Sequence, residues 1–449
     1  MFSPVLLLAP LLYATTPAPA TRVELVFGGD VIPHGELKKA AQAHALSAPP
    51  EVKGEPPRSL NNEGWDHVFE PIAGELRAVD VAVVNLETPV TDNKKAVTRQ
   101  FLFNAPSAMV RALAAAGVKL VSTANNHARD QNLPGMVETL RHLDAAGIQH
   151  VGTGVSLSPA WEPVVMDVKG MRLGFLSFTR WMNGFTNPED LEGPHVAYVP
   201  YKVEDQEREV SVEQLVEQVR LAAGQCDVLF VMVHWGAEYA EQPHPEDQQL
   251  ARALIDAGAG AVIGHHPHVL QPLEQYTTPE GRKALIAYSL GNLVANQGRF
   301  YTYKPGGPGK DGDVRDSMLL RVAWVRREAG GPVELDAVSA LPVWIENNAL
   351  TRKRKELRNI QPLLLDREVE AVVGRVAQLD AQPLPEGRKA KAAKAAAKVE
   401  RTALERRLAM QKLRRERILK MLPEGVTVAT PTPRTPEAPA GGVAVQGAP

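Results

Sequence analysis

Short apolar runs recur between residues 22 and 343, and most of them end at a polar or glycine-rich motif. The first, Val23–Phe27, alternates in polarity and stops at Gly28-Gly29-Asp30, which predicts a strand that places a carboxylate at its carboxyl end. The other strand-like runs are Asp80–Val84, Val118–Thr123, Ile148–Val151, Asp227–Val233, Ala261–Ile263, Ala284–Tyr288, Met318–Val325 and Val333–Ala340. Apolar runs of this length, separated by helical segments, are typical of an α/β fold.

Helical patterns fill several of the intervals between these runs. The predicted helices are Pro106–Ala116, Pro134–Ala146, Val212–Ala223 and Pro245–Ala257. Val164–Val168 and Arg172–Phe178 are joined by Lys169-Gly170, which predicts a hairpin and therefore a mixed sheet. Residues 36–62, rich in Ala, Pro and polar side chains, are predicted to form a loop or lid.

Composition and the first twenty residues place the chain among exported globular proteins. It has 449 residues, of which 44% are hydrophobic and 23% charged, enough to bury one large core or two ordinary ones. The apolar run Val5–Leu12 and the small-residue pattern Ala18-Pro19-Ala20 predict a signal peptide over residues 1–20. The single cysteine, Cys226, has no partner for an intrachain disulfide and is predicted to lie in the core. A location in the periplasm, in the cell envelope or outside the cell is expected.

The C-terminal quarter differs in character from the predicted domain at residues 21–345. Residues 346–385 are predicted to be a linker, and residues 423–449 a disordered tail rich in Pro, Ala and Thr. Between them, residues 386–422 hold thirteen Lys or Arg and four Glu, and the absence of Gly and Pro from Arg388–Leu422 predicts a basic helix. Such a helix can contact an anionic envelope surface, or it can be a solvated helix that packs on the domain through its few leucines.

The motif Gly264-His265-His266-Pro267-His268 has the highest density of potential metal ligands. It follows the apolar run Ala261–Ile263, so its histidines lie where a buried strand ends and a loop begins. In an extended segment, residues two apart point to the same side, and His266 and His268 would face one metal centre while His265 faces away. Two imidazoles at this spacing suit a divalent transition metal such as Zn, Mn or Fe.

Potential ligands also follow four other predicted strands. They are Asp30, Asn85 with Glu87, Asn126 with His127, and His234. Each has an ordinary structural explanation when taken alone, since Asp30 can cap a turn, Asn126 can adopt a left-handed conformation and His234 can be a buried core histidine. Their joint occurrence favours a metal site, because loops at one edge of a sheet bring carboxylate and imidazole groups together from several directions. A pair of ions also needs a bridging carboxylate, a role open to Glu87.

The order of these motifs resembles the capsule-synthesis CapA (poly-γ-glutamate biosynthesis) family, a branch of the calcineurin-like metallophosphatase superfamily. The matching motifs are Gly28-Gly29-Asp30, Asn85-Leu86-Glu87, Ala124-Asn125-Asn126-His127, His234-Trp235-Gly236 with Glu238-Tyr239, Gly264-His265-His266-Pro267-His268 and Ser289-Leu290-Gly291-Asn292. They fall within residues 23–343, most of the chain, and six motifs in order make a specific signal. The resemblance implies a four-layer α/β/β/α metallophosphatase-like sandwich with mixed sheets, followed by the basic helix and the disordered tail.

The same resemblance implies two divalent metal ions, Mn, Zn or Fe, and assigns their ligands. The assignments are Asp30 and His268 for the first ion, Asn126, His234 and His266 for the second, and Glu87 as the bridge. His127 resembles the catalytic histidine that contacts the scissile phosphate and its leaving group. A typical metallophosphatase has a histidine two residues after the first aspartate, where this chain has Ile32. The first ion is therefore expected to be held more weakly, unless Asn85 or His34 compensates.

The favoured function is a metal-dependent hydrolase of the cell envelope, associated with poly-γ-glutamate or capsule polymer synthesis. In such an enzyme a water activated by two metals attacks a phosphoester or a related bond. The expected partner is an anionic polymer or a phosphoester substrate, and no specific nucleic acid is expected. The alternative is a non-catalytic accessory protein that binds an anionic capsule polymer; the missing histidine at Ile32 favours it, whereas Asn126-His127 favours the enzyme. The sequence contains no Walker-type pattern that would indicate an ATP-using ligase.

Overall fold

The computed structural model describes residues 20–47, 62–93, 101–202, 204–205, 208–303, 310–352, 356–382 and 390–433. All of the predicted signal peptide except Ala20 lies outside these residues, as does the last part of the predicted tail. In the part of the chain that is described, no helix combines the length and the apolar character needed to cross a membrane.

Strands and helices alternate along the described chain. The strands are β1 (Thr21–Val31), β2 (Val81–Leu86), β3 (Val118–Ser122), β4 (Gln149–Val151), β5 (Thr153–Gly154), β6 (Val164–Val168), β7 (Met171–Thr179), β8 (His195–Val196), β9 (Val228–His234), β10 (Ala259–His265), β11 (Leu273–Thr277), β12 (Lys283–Ala287), β13 (Asn292–Val294), β14 (Asp316–Arg326), β15 (Val333–Asn347), β16 (Ile360–Leu364) and β17 (Thr427–Val428). The helices are α1 (Gly35–Ser47), α2 (Trp65–Arg77), α3 (Ser107–Ala116), α4 (Asn132–Ala145), α5 (Leu157–Trp161), α6 (Val212–Ala223), α7 (Pro245–Asp256), α8 (Leu365–Ala381) and α9 (Ala390–Leu419). Each strand and helix predicted between residues 23 and 340 is present, with ends shifted by a few residues.

The strands form two large sheets. The first has nine strands in the order β16-β15-β14-β1-β2-β3-β4, with β13 paired to β1 and β17 paired to β15. Its strands β1 to β4 are parallel, whereas β14, β15 and β16 are antiparallel. The second has six strands in the order β11-β12-β10-β9-β7-β6, of which β12, β10, β9 and β7 are parallel. The antiparallel pair of β6 and β7 confirms the predicted hairpin, and both sheets are mixed.

Alternation of side chains along the central strands produces the layers. In β1, Leu25 and Phe27 lie in the core between the two sheets, and the ring of Phe27 is 5.4 Å from that of Phe230 in the second sheet. Val26, between them, packs on the opposite face of the first sheet, against α2 and α3. Helices α6 and α7 cover the outer face of the second sheet, for example through Leu215. The molecule is therefore a four-layer α/β/β/α sandwich with mixed sheets, as the sequence predicted.

In the first part of residues 36–62 the structure has a helix rather than the predicted loop or lid. Helix α1 occupies this stretch up to Ser47, and residues 48–61 lie outside the described part of the chain. Leu37, Ala40 and Ala41 are buried in the core outside the first sheet. Their spacing of three and four residues is that of one helical face, a pattern that the many alanines of the segment obscure.

The predicted linker at residues 346–385 contains the end of β15, all of β16 and helix α8. Strand β16 pairs with β15, and after α9 strand β17 pairs with β15 at Ser339 and Ala340. Further along, the backbone N–H and the hydroxyl of Thr432 both donate hydrogen bonds to the buried carboxylate of Glu75. Residues 423–433 of the predicted disordered tail are thus attached to the first sheet, and residues 434–449 lie outside the described chain.

The two halves of helix α9 have different surroundings. Its first half is largely exposed, whereas Gln411, Arg414 and Ile418 in the second half are buried. Ile418 belongs to the core between the sheets, and Met410 packs against that core. The second half therefore matches the alternative of a helix packed on the domain. Contact with an anionic surface stays a prediction for the exposed half.

Candidate metal centre

The parallel strands of both sheets end at one edge of the sandwich, where the predicted ligands meet. The first sheet contributes Asp30 near the end of β1, Glu87 directly after β2 and Asn126 in the loop after β3. The second contributes His234, the last residue of β9, with His266 and His268 directly after β10. All six side chains are buried. The structure brings together every ligand that the sequence proposed.

Glu87 lies at the middle of this group. Its carboxylate is completely buried, and neither oxygen has a hydrogen-bond partner among the described residues. The Nε2 atoms of His127, His234 and His268 lie 3.9, 3.8 and 3.8 Å from Glu87 Oε1, too far for hydrogen bonds. Burying a carboxylate without a partner is costly. The geometry is that of a carboxylate whose partner is a cation held between it and the imidazoles.

Two sets of donor atoms share Glu87. The first set is Asp30, Glu87 and His268, and the second is Glu87, His234 and His266; the donor atoms within each set all lie within 4.8 Å of one another. Asn126 Oδ1 lies 2.8 Å from His234 Nε2 and adds an amide oxygen to the second set. These groupings are the ones that the resemblance implied for the two ions and their bridge. Buried carboxylate, amide and imidazole donors fit divalent Mn, Zn or Fe.

Burial keeps His234 and His266 in the neutral form that metal binding requires. It lowers the pKa of His234 well below its ordinary value, and the neighbouring histidines add to this effect. Burial also lowers the pKa of His266 to about 3, with His268 as the next contributor. The pKa of Glu87 is raised well above its ordinary value, first by burial and then by the charge of Asp30. The histidines are therefore ready to ligate, while the carboxylates repel one another without a cation between them.

His266 and His268 reach the centre from a turn rather than from an extended strand. Their φ values are 97° and 58°, a region that residues other than glycine rarely adopt. His265 faces away, and its Nε2 lies 3.3 Å from the carbonyl oxygen of Gly28. The predicted directions of the three side chains are therefore observed, but the predicted cause, strand alternation, is wrong. Backbone conformations of this kind persist where surrounding contacts enforce them, and they cluster at binding sites.

His127 is buried beside the centre and belongs to neither ligand set. Its Nδ1 lies 2.7 Å from Asp130 Oδ2, and its ring packs against Phe103 with 4.2 Å between the ring centroids. Because an ionised carboxylate only accepts hydrogen bonds, we infer that Nδ1–H donates to Asp130 and that Nε2 faces Glu87. Asp130 thus orients His127. No role was assigned from the sequence to Asp130, which lies three residues after the motif that ends at His127.

Asn183 orients the predicted ligand Asn126. The Nδ2 of Asn126 donates to Asn183 Oδ1 over 3.2 Å, and this oxygen also accepts a hydrogen bond of 3.0 Å from Trp181 Nε1. The first bond turns the Asn126 amide so that its Oδ1 faces His234. Asn183 has a φ of 49°, in the left-handed region. It follows no strong strand pattern and is 57 residues from Asn126, so nothing in the sequence singled it out.

Ile32 occupies the position where the resemblance leads one to expect a histidine. Its side chain is buried with Phe103 and Ala295 and has no donor atom to offer. Asn85 Nδ2 donates a hydrogen bond of 2.8 Å to Asp30 Oδ1, so Asn85 holds the Asp30 carboxylate in place. His34 Nδ1 accepts a hydrogen bond of 3.2 Å from the backbone of Asn296, and His34 is in neither ligand set.

A cleft of about 1020 Å³ opens beside the centre. His34, Phe103 and Tyr239 form its inner end. The ring of Tyr239 is 6.2 Å from that of His268, and Phe103 contacts His127, so this end adjoins both the ligands and the candidate catalytic histidine. The cleft therefore adjoins the candidate metal centre.

Comparisons with known proteins indicate the family of the chain. The family model described as bacterial capsule synthesis protein PGA_cap matches residues 24–297. The PGA biosynthesis protein CapA of Bacillus subtilis is 31% identical over 298 residues, which are 65% of this chain and 70% of that protein. The capsule biosynthesis protein CapA of Bacillus anthracis is 31% identical over 244 residues, 53% of this chain and 56% of that protein.

Two further matches complete these comparisons. A probable polyglutamine synthesis accessory protein of Mycobacterium tuberculosis is 30% identical over 222 residues, 49% of this chain and 57% of that protein. The chain thus spans little more than half the length of this relative and of the Bacillus anthracis protein. A solved phosphatase structure from Mycoplasma pneumoniae aligns with a TM-score of 0.39 and 12% identity, covering 72% of this chain and 94% of that chain.

Proposed function

The chain belongs to the bacterial capsule synthesis protein family PGA_cap, and from this premise we propose that it is a metal-dependent hydrolase of the cell envelope. Its substrate is an anionic molecule, and the bond it cleaves is a phosphoester or a related bond. The observation that carries the proposal is the Glu87 carboxylate, which is buried, has no hydrogen-bond partner among the described residues and is shared by two sets of metal-ligand donors. A purely structural role for this residue would leave its burial unexplained.

The proposed centre holds two divalent ions between the two sheets. Asp30 and His268 would hold the first ion, Asn126, His234 and His266 the second, and Glu87 both. When bound, such ions supply Lewis-acid chemistry and lower the pKa of a water molecule toward neutrality. Asn85 holds the Asp30 carboxylate and Asn183 holds the Asn126 amide, so the chain fixes the direction of a ligand on each side.

His127 supplies the proton chemistry in this proposal. Its Nε2 faces the centre, where it can hold a proton for the leaving oxygen of an ester. Asp130 keeps the Nδ1 proton in place, and the packed ring of Phe103 limits rotation of the imidazole. General acid catalysis of this kind typically contributes on the order of 10²–10⁴-fold in rate.

The alternative function is a non-catalytic accessory protein for an anionic capsule polymer. Two observations favour it: Ile32 has no donor atom for the first ion, and the relative from Mycobacterium tuberculosis is named an accessory protein. In that case the centre would bind metal for stability or for polymer binding, and His127 would have no role in turnover.

Metal content and turnover of the full chain distinguish these functions. The purified protein is loaded with Mn, Zn or Fe, its metal content is measured by elemental analysis, and hydrolysis of bis(p-nitrophenyl) phosphate and of poly-γ-glutamate is assayed. We expect uptake of up to two ions, with lower occupancy on the Asp30 side. His127→Gln should keep its metal and lose on the order of 10²–10⁴-fold in turnover, whereas His150→Gln, on a surface pair with Asp144, should match the parent. Turnover by His127→Gln at the parental rate would remove His127 from the mechanism, and absence of turnover by the metal-loaded parent would favour the accessory function.

A further inference from the structure

The cleft beside the metal centre carries cationic groups that the proposed reaction does not use. Lys38 and Arg299 line it, together with the mostly exposed aromatic side chains of Phe101 and Phe300. We propose that Lys38 and Arg299 form a subsite that binds a second anionic group, a carboxylate or a phosphate, of a substrate whose reacting group lies at the metal centre.

Lys38 lies one helical turn from His34, on the side of α1 that faces the cleft. The backbone N–H of Lys38 donates to the carbonyl of His34 over 3.2 Å, and residues four apart lie on the same face of a helix. His34 in turn is close enough to His268 and His127 for their charges, after burial, to lower its pKa. Lys38 therefore lies about 6 Å further along the helix axis than His34, and its side chain lines the same cleft.

Lys38 also differs from its neighbour on the same helix. Within the described chain no carboxylate forms an ion pair with Lys38, and burial lowers its pKa without an opposing charge. Lys39, by contrast, is exposed, lies outside the cleft and pairs with Glu36 over 2.9 Å. A half-buried ammonium group without a partner is unfavourable. An anionic group of a ligand in the cleft would provide that partner.

Two of the three carboxylates that line the cleft, Glu36 and Asp313, form ion pairs with cations of the described chain. Glu36 pairs with Lys39 and Arg358. Asp313 pairs with Arg414 and with Arg417. A further acidic residue, Glu241, lies near Asp313, where its charge adds to the effect of burial in raising the pKa of Asp313. On the α1 side of the cleft the uncompensated charge is therefore positive.

The aromatic side chains of the cleft indicate the kind of chemical group that connects the two anionic groups of the ligand. The guanidinium of Arg299 lies over the Phe300 ring, 4.5 Å from its centroid, and Phe101 is 67% exposed. Aromatic surface of this kind packs against carbon chains as well as flat groups. Because this subsite belongs to the hydrolase proposed above, it narrows the substrate to a chain with several acidic groups, rather than a small ester with one.

Binding measurements on matched variants test the subsite independently of turnover. Binding of tetraglutamate and, separately, of inorganic phosphate is measured by isothermal titration calorimetry on the metal-free and the metal-loaded full chain. Lys38→Ala should weaken tetraglutamate binding at least about tenfold in both forms, because a charge-assisted hydrogen bond is lost. Lys38→Arg should retain most of the affinity, and Lys39→Ala should bind as the parent does. Thermal unfolding of each variant serves as the control for folding.

The subsite and the proposed hydrolase would fail by different experimental results. Equal affinity of Lys38→Ala and the parent for both ligands would overturn the subsite, as would a failure of the parent to bind either. Phosphate binding that depends on Lys38, without tetraglutamate binding, would support the subsite and identify phosphate as its ligand. Failure of the hydrolase proposal appears as absence of turnover, which leaves the binding to metal-free protein unaffected.

Discussion

Two clusters of buried carboxylates in the described part of the chain differ in the source of the compensating positive charge. Around Asp313 and Asp316 the charge comes from the chain itself, since Arg414 of α9 is fully buried and reaches the two carboxylates over 2.8 and 3.1 Å. Around Asp30 and Glu87, no Lys or Arg of the described chain forms an ion pair, and the nearby basic groups are histidines.

This difference shows when a buried carboxylate cluster indicates a cation site. The guanidinium of Arg414 lies over the rings of Tyr301 and Trp344, at 5.0 and 5.5 Å from their centroids. A side chain at Gly312 would place its Cβ 2.0 Å from Arg414 Nη2, so only glycine allows this approach. Arg414 therefore supplies positive charge to this arginine cluster and fastens the C-terminal helix to the sandwich. The cluster around Glu87 has no Lys or Arg of this kind among the described residues.

Arg414→Ala is expected to have the largest effect on stability. The change leaves Asp316 buried without its arginine, and removing one partner of a buried ion pair costs about 3–5 kcal/mol. The free energy of unfolding in urea should fall by that amount. Arg406→Ala, at an exposed position of the same helix, should change it by less than about 0.5 kcal/mol. Equal values for the two variants would show that the arginine cluster does not hold α9.

Glu87→Gln tests the cluster around Glu87. In the metal-free protein this change should leave the free energy of unfolding unchanged or raise it, whereas Arg414→Ala lowers it. Glutamine has nearly the same shape and removes the repulsion among the carboxylates, so the metal-free protein should be as stable as the parent or more so. The stabilisation by metal, about 2.7 kcal/mol at a hundredfold excess over Kd, should disappear. Thermal unfolding with and without Mn or Zn, together with elemental analysis, measures both effects. Full metal uptake by Glu87→Gln would rule out a bridging role.

The central sandwich could be predicted from the sequence because its strands are apolar runs that end in polar motifs, as β2 and β9 do. The C-terminal additions could not. Strands β16 and β17 join β15 through main-chain hydrogen bonds, which leave little trace in the pattern of side chains. Arg414 was counted in the sequence as one more cation of a basic helix, and only the fold shows that it is buried against Asp313.

The ligand residues of the candidate site could be predicted because each follows a strand and carries a donor atom. The residues that orient them were harder to find. Asn183 acts through a left-handed backbone conformation in a loop, and its partner Asn126 is distant in the sequence. The same holds for the turn at His266 and His268, whose positive φ values depend on surrounding contacts rather than on local preference.

Asn183→Ala tests whether the cluster around Glu87 depends on oriented neutral side chains, whereas the cluster around Arg414 depends on ion pairs. Without Asn183, the Asn126 amide can rotate away from His234, and loss of such a supporting contact typically lowers metal affinity by about 10–100-fold. Titration of metal-free protein with Mn or Zn measures this loss. Trp181→Phe removes only the other hydrogen bond to Asn183 and should have a smaller effect. An unchanged affinity in Asn183→Ala would place Asn126 outside the ligand set.

The smallest expected effect concerns His34, which lies beside the histidines of the metal centre and not in the arginine cluster. Burial, followed by the charge of His268, lowers its pKa from 6.5 to about 4 in the folded protein. The unfolded chain then binds the proton more readily than the folded chain does. The contribution of neutral His34 to the free energy of unfolding is therefore fully present above about pH 6.5 and is lost as the pH falls toward 4. Between pH 6.5 and 5.5 this one group accounts for about 1 kcal/mol of the decrease in unfolding free energy. In urea unfolding of metal-free protein at a series of pH values, His34→Gln should therefore lose stability less steeply than the parent over this interval. Identical slopes for His34→Gln and the parent would mean that His34 is protonated as readily in the folded chain as in the unfolded one.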